Sequence, residues 1–289
     1  MPGGSSRVQQ SHPRVDVVRG LVAATHPGPT AVVTALSATL LVGLRAPGSV
    51  VALASSAVLA GQLSVGWSND WLDAARDRAV GRTDKPVVAG LVTAATVRTG
   101  ALSAAAVCAV LSWSTGLLPG SAHLVAVAGA WSYNAGLKRT AWSWLPYALS
   151  FGLLPVFLVL AAGQTRVPVW LVAAGALLGA GAHVANVLPD LEDDAATGVV
   201  GLPHRLGRRV CAVLAPALLA AAALVVLLVP GDAGWFGAAG AGLALALALG
   251  AGVIGATRPR SRAPFVLSMG VAAVCVVLLA TAGPRIVAG

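Results

Sequence analysis

Apolar stretches about 20 residues long follow one another along almost the whole chain, with the charges, Pro and Gly collected in the short segments between them. Each stretch can cross the roughly 30 Å hydrocarbon core of a bilayer as a helix. Cut at that punctuation, the 289 residues yield nine predicted spans: 21–44, 50–67, 90–111, 122–137, 145–162, 167–189, 210–229, 235–257 and 264–282. Runs of Ala, Leu, Val and Gly without polar and apolar residues in alternation exclude a spanning barrel. The expected fold class is all-α, a polytopic membrane bundle of about nine transmembrane helices. Gly175, Gly179 and the frequent Ala predict close helix approach, the small-residue packing of membrane helices.

Composition removes other classes. The chain is 57% hydrophobic and 10% charged, against about 25% charged in a soluble domain. That excludes a soluble globular enzyme and a disordered chain. Its net charge of +9 comes from 19 basic and 10 acidic residues. The bases are scattered through inter-helix segments rather than gathered on a helix with interleaved aromatics, so no nucleic-acid partner is expected. Cys108, Cys211 and Cys275 lie inside apolar runs with no Cys-x-x-Cys, and read as small core residues. Residues 1–20 form a polar tail with Arg7, Arg14 and Arg19 and no apolar stretch, so no cleavable signal peptide is expected. Residues 21–289 are expected to be a single transmembrane domain.

With the N-terminus in the cytoplasm, the gaps after even-numbered spans are cytoplasmic too. Fifteen bases then fall inside: Arg7, Arg14, Arg19, Arg76, Arg78, Arg82, Lys85, Lys138, Arg139, Arg205, Arg208, Arg209, Arg258, Arg260 and Arg262. Outside fall Arg45, Arg166 and Arg285. This positive-inside bias fixes the expected orientation: an integral protein of the plasma membrane with its N-terminus and active-site loops cytoplasmic.

Eight of the ten acidic residues sit in two places, Asp70, Asp73, Asp77 and Asp84 after span two, and Asp190, Glu192, Asp193 and Asp194 after span six. Both clusters are predicted on the same side, where they can meet across one cavity mouth. Asp70, Asp73 and Asp77 stand at i, i+3 and i+7, one face of a helical extension of span two, flanked by Asn69. Asn186, Asp190 and Asp194 stand at i, i+4 and i+8, again one helical face, while Glu192 and Asp193 point elsewhere. Carboxylates so spaced repel unless a cation neutralises them. Mg²⁺ takes oxygen ligands and is commonly held by one or two carboxylates plus substrate phosphates. The stripes therefore predict a Mg²⁺–diphosphate site. Arg82, Lys85, Lys138, Arg139 and Arg205 stand nearby in the sequence as phosphate contacts. No glycine-rich phosphate loop, nucleophile elbow or HExxH occurs.

At these residues the sequence resembles the UbiA superfamily of intramembrane prenyltransferases. Asn69-Asp70-Trp71-Leu72-Asp73-Ala74-Ala75-Arg76-Asp77 fits the family's NDxxDxxxD motif without a gap, and continues into Gly81-Arg82-Thr83-Asp84-Lys85-Pro86. Tyr133-Asn134-Ala135-Gly136-Leu137-Lys138-Arg139 resembles its Tyr-to-Lys element after span four. Asp190-Leu191-Glu192-Asp193-Asp194, preceded by Asn186, matches its second aspartate motif. The resemblance implies helices around a central cavity open to the membrane, where an isoprenoid diphosphate binds through Mg²⁺ to both motifs. The prenyl group, ionised there, passes to an aromatic or other lipophilic acceptor. It also implies that Asn69, Asp70, Asp73, Asp77, Asn186, Asp190 and Asp194 organise metal. Of these, Asp70, Asp73, Asp77, Asp190 and Asp194 are the expected catalytic residues. Lys85, Tyr133 and Lys138, with Arg82, Asn69 and Asn186, are implied at the substrate. The family often has Arg where this chain has Lys85, which makes the phosphate contact here a point charge rather than a fork.

Two other readings share parts of this pattern. A terpene cyclase of the same type needs the same metal–diphosphate trigger and differs in the apolar wall. An ion or metal transporter also needs membrane carboxylates, but near the midplane on broken helices, whereas these stand at helix ends. His183, three residues before Asn186, reads as a packed or hydrogen-bonded core residue, and His26-Pro27 as the start or kink of span one. Arg19 reads as a positive-inside anchor. Trp67, Trp71, Trp142, Trp144 and Trp235 read as an interfacial aromatic belt. Trp67 and Trp71 border the first motif and are also placed to shield a carbocation.

Overall fold

A computed structural model of the protein describes residues 13–229 and 234–283. Among the described residues all regular structure is helical: α1 (Pro13–Ala24), α2 (Pro27–Gly43), α3 (Gly48–Ala79), α4 (Ala94–Ser114), α5 (Leu117–Ala135), α6 (Leu145–Ala161), α7 (Val169–Val187), α8 (Leu191–Ala196), α9 (Leu202–Leu228), α10 (Gly234–Thr257) and α11 (Ala263–Ala282). Two short 3-10 turns, Leu137–Arg139 and Leu188–Asp190, interrupt the order after α5 and α7. Six helical segments are long and apolar enough to cross a membrane: α3, α4, Val169–Ala196, α9, α10 and α11. α2 and α6 are apolar but shorter, at 17 residues each. α5 has 19 residues, but Ser121, His123, Ser132, Tyr133 and Asn134 make it more polar.

Neighbours in sequence are mostly neighbours in space. α2 packs on α3, α3 on α4, and so on through α5, α6, α7, α9, α10 and α11, and α11 returns to α2, closing a ring. The main core joins Phe157 and Leu158 of α6, Leu171 and Leu178 of α7, Leu219 and Val226 of α9 and Val271 and Leu279 of α11 to Leu40 and Leu41 of α2. The tightest seam is α6 against α7. A Cβ on Gly175 would strike the carbonyl oxygen of Phe151, and one on Gly179 that of Tyr147, so only glycine permits the approach expected there. α9 carries one kink, at Gly207 (φ 77°, ψ 162°).

The predicted span 21–44 is divided. His26 adopts the left-handed conformation (φ 53°) and Pro27 opens α2, because the residue before a proline is driven out of the helical region. The preceding segment is a separate helix, α1, so residues 13–20 of the expected tail are helical and tied to the bundle: Trp67 Nε1 donates to the Leu21 carbonyl oxygen at 2.9 Å. Residues 1–12 of that tail, with Arg7, and Arg285 at the other end lie outside the described residues. The second acidic stripe is also interrupted. Pro189 and the 3-10 turn Leu188–Asp190 stand between α7 and α8, so Asn186, Asp190 and Asp194 are not on one continuous helix.

Four connections meet at one end of the ring. Lys85 reaches Asp70, Lys138 reaches Asp73, Ser143 accepts from Leu202, and Arg208 bonds both Glu192 and the Pro259 carbonyl oxygen. The even-numbered gaps of the sequence therefore share a side.

Candidate active site

α3 supplies the floor of the site. Its 32 residues extend about 48 Å at 1.5 Å per residue, well beyond a bilayer core of about 30 Å. The last turns, residues 68–79, thus exceed what a bilayer core needs and carry Asn69, Asp70, Asp73 and Asp77. All three aspartates are buried, at 2%, 3% and 2% exposure, on one face. α5 is pinned to this extension by Asn134, whose Nδ2 donates to the Val65 carbonyl oxygen at 3.0 Å and to Ser68 Oγ at 2.8 Å. Residues 80–93 fold back over α3 through Val87 and Val92, which pack with Ala74, Trp67 and Trp71.

Each buried carboxylate has a cation. Lys138 Nζ sits 2.5 and 2.6 Å from the two oxygens of Asp73, and Arg76 Nη2 lies 3.1 Å from Asp73 and 3.3 Å from Asp77. Lys85 Nζ lies 2.7 Å from Asp70 Oδ1, with His26 Nε2 at 3.4 Å from the same oxygen. Asn69 bridges the set, donating to Asp73 and Asn134 and accepting from Lys85. Burial pushes the Lys138 ammonium below its usual range, against the opposing pull of Asp73. Arg82 is turned aside: it forms a bidentate pair with Asp84 at 3.0 Å for both bonds, which holds the half-exposed Asp84 carboxyl below its ordinary range.

The second cluster faces the first. Asp194 interacts electrostatically with Arg76, Lys138 and Arg82, and Asp190 with Arg82. Tyr133 lies within reach of the charges of both Asp73 and Asp194. Glu192 does point elsewhere, exposed and paired to Arg208 at 2.5 Å. Below Tyr133 stand Tyr147, at 5.2 Å between ring centroids, and His183, at 5.6 Å. Asn186 Nδ2 donates to the Tyr147 hydroxyl at 3.5 Å. Trp67 and Trp71 are engaged away from this cluster, Trp67 with Leu21 and Trp71 beneath the Arg98 guanidinium, 5.4 Å from the ring centroid. Trp142 and Trp235 are exposed.

Asp70, Asp73, Asp77, Asp190, Asp194, Asn69, Asn186, Tyr133, Lys85 and Lys138 are thus brought together, while Arg82 is committed to Asp84. Residues not singled out for this role from the sequence are Arg76, His26, Asn134 and Tyr147. Arg76 stands three residues after Asp73 on the same helix, a readable ion-pair spacing. The others meet the site only through tertiary packing.

Among the described residues no three His, Cys, Asp or Glu side chains form a ready cage for a metal. The donor set nonetheless fits Mg²⁺ in the form that ion favours, a few carboxylates completed by water and phosphate. Five carboxylates (Asp70, Asp73, Asp77, Asp190, Asp194) face Lys85, Lys138 and Arg76, the last shared between Asp73 and Asp77.

Known proteins carry the same architecture. Solved structures of a UbiA homolog from Archaeoglobus fulgidus bound to DMAPP and Mg²⁺, and to GPP and Mg²⁺, superpose with TM-scores of 0.67 and 0.68 at 16% identity. Each comparison covers 90% of this chain and 99% of the other. The bacteriochlorophyll synthase 33 kDa chain of Cereibacter sphaeroides is 35% identical over 182 residues, 59% of this chain. The chain spans 60% of that relative's length. The profile of the UbiA prenyltransferase family matches residues 29–274. With six helical segments able to cross a bilayer and a family match over most of its length, the chain is an integral membrane protein and belongs to the UbiA prenyltransferase family.

Proposed function

We propose that this prenyltransferase uses Mg²⁺ to ionise an isoprenoid diphosphate at Asn69, Asp70, Asp73, Asp77, Asn186, Asp190 and Asp194, and transfers the prenyl group to an aromatic or other lipophilic acceptor. The observation that carries the reading is the buried carboxylate face of α3, whose neighbouring cations Arg76, Lys138 and Arg82 also act on Asp194, and Arg82 on Asp190. Solved relatives holding DMAPP or GPP with Mg²⁺ support the substrate class.

When bound, Mg²⁺ supplies positive charge that makes diphosphate a better leaving group. The chain's own residues do the rest. Lys138, Lys85 and Arg76 exchange their carboxylates for phosphate oxygens and stabilise the charge that grows on the leaving group as the allylic C–O bond breaks. Asn69 and Asn134 hold the carboxylate face in register. Tyr133 and Tyr147 present aromatic rings next to the reacting carbon, where a ring face attracts a developing cation. Arg82 serves the approach to the site while paired with Asp84.

Residues 21–289 act as one catalytic unit whose nine spans are the six long segments together with α2, α5 and α6. The N-terminus and the four meeting connections face the cytoplasm, an orientation supported by the fifteen-to-three distribution of bases, and the membrane is the plasma membrane. The test is incubation of purified protein and Mg²⁺ with labelled isoprenyl diphosphates of several lengths, with and without an aromatic pool. Acceptor-dependent prenylated product supports transfer. Hydrocarbon or alcohol formed equally without acceptor contradicts it and makes the chain a cyclase.

A further inference from the structure

His183 lies in α7 at 1% exposure, against the touching rings of Tyr133 and Tyr147. Its Nε2 is 3.1 Å from Ser143 Oγ, and its buried Nδ1 has no hydrogen-bond partner. Ser143 is fully buried and its Oγ also accepts the Leu202 backbone N–H at 2.9 Å. A serine hydroxyl has one proton to give. The arrangement that leaves fewest groups unmade has Ser143 donating to His183 Nε2, which assigns the ring proton to Nδ1.

The position of Ser143 gives this bond its consequence. Ser143 closes the turn that carries Lys138: the Arg139 N–H bonds the Gly136 carbonyl oxygen (3.0 Å), Thr140 bonds Leu137 (3.0 Å), and Ser143 bonds Thr140 (3.1 Å). A Cβ on Gly201 would lie 2.7 Å from both the Lys138 carbonyl oxygen and Ser143 Oγ. The Lys138 backbone, Ser143 and the start of α9 therefore form one close-packed unit, and His183 ties it to α7. A Phe packed against the two tyrosine rings would leave no N–H unmade, but it would give the buried Ser143 hydroxyl no acceptor. What the imidazole adds at this place is its Nε2 acceptor.

We propose that His183 is a positioning residue, which through Ser143 holds the turn that presents Lys138 to the diphosphate. The inference rests on the reading of Lys138 as a phosphate contact. It is tested with the full chain in detergent, by the affinity for geranyl thiodiphosphate with Mg²⁺ and by steady-state kinetics. His183→Phe, which trades the unmade Nδ1–H for an unmade Ser143 hydroxyl, should shift the thermal midpoint little, yet weaken analogue binding about tenfold and raise KM in step. kcat at saturation should fall as well, because Lys138 faces charge that grows as the C–O bond breaks. His183→Gln, whose amide can reach the Nε2 position, should recover most of the affinity. Ser143→Ala should reproduce the loss, and the double variant His183→Phe/Ser143→Ala should lose no more than either single one.

Wild-type analogue affinity in His183→Phe, or losses that add in the double variant, would overturn the inference. Should His183→Phe not fold, Ser143→Ala and His183→Gln decide by the same criteria. Lys138→Ala, run beside them, separates the two readings. If it binds the analogue as wild type does, the phosphate role of Lys138 falls. If it weakens binding while His183→Phe does not, the positioning role alone falls.

Discussion

Replacing Lys138 by Gln removes the cation seated on both oxygens of Asp73 while keeping a side chain of similar length. Lys138 and Asp73 are each 5% exposed at the side chain, and Nζ approaches to 2.5 Å. Deleting one partner of so buried a pair leaves Asp73 to Arg76 alone beside Asp70 and Asp77, a loss bounded above by the about 3–5 kcal/mol of a wholly unpaired buried charge. Gln can donate a neutral hydrogen bond to Asp73, which returns about 1 kcal/mol and sets the expectation at no more than roughly 2–4 kcal/mol. The less compensated charge should also change how the empty protein meets a metal. In wild type the carboxylates already hold cations, so Mg²⁺ alone should raise the thermal midpoint little. In Lys138→Gln, Mg²⁺ at about 100 times its dissociation constant should restore about 2.7 kcal/mol by mass action. Thermal unfolding in detergent, with and without Mg²⁺ and without any diphosphate, reads both effects. A variant as stable as wild type in metal-free buffer, or one no more responsive to Mg²⁺, would refute the view that Lys138 stands in for a metal on Asp73.

Asp73→Ala and Asp190→Ala should each lower turnover by at least about a hundredfold in a labelled-diphosphate assay, whereas Glu192→Ala, which loses only the exposed pair with Arg208, should stay within about threefold. Gly179→Leu should drive a side chain into the Tyr147 carbonyl oxygen and lower stability by about 1–3 kcal/mol or more, seen as a reduced thermal midpoint in detergent. Single-cysteine replacements at Lys138 and Arg262 should escape an impermeant thiol reagent in intact cells while one at Arg166 is labelled, and equal labelling of Lys138 and Arg166 would overturn the orientation.

The first acidic stripe was legible because it lies on one unbroken helix. Nothing between Gly48 and Ala79 stops α3, so i, i+3 and i+7 spacing translates directly into a shared face. The second stripe crosses Pro189, where the chain tightens into a 3-10 turn, so its i, i+4 and i+8 spacing passes from α7 to α8 rather than along one uniform helix. His26-Pro27 carried a readable break, and the structure turns it into a full separation of α1 from α2. The partners of the carboxylates were not legible. Lys138 and Asp73 are 65 residues apart, and Arg82, equally basic and nearer in sequence, is taken by Asp84 instead. Sequence proximity lists the cations but cannot choose among them, since the choice is made by how the turn after α5 is held against α9. The same applies to His183. Its burial was expected, but its bond to Ser143, 40 residues away, exists only once α6 and α7 have closed through Gly175 and Gly179.

The central claim is that the two acidic clusters bind metal and diphosphate jointly, and ligand-dependent stability tests it without reference to the acceptor. Thermal midpoints in detergent should be taken with Mg²⁺ alone, with geranyl thiodiphosphate alone and with both. Stabilisation by the pair should exceed the sum of the separate effects, and Asp77→Asn combined with Asp194→Asn should abolish that excess. Equal stabilisation of wild type by the analogue with and without Mg²⁺ would contradict the account.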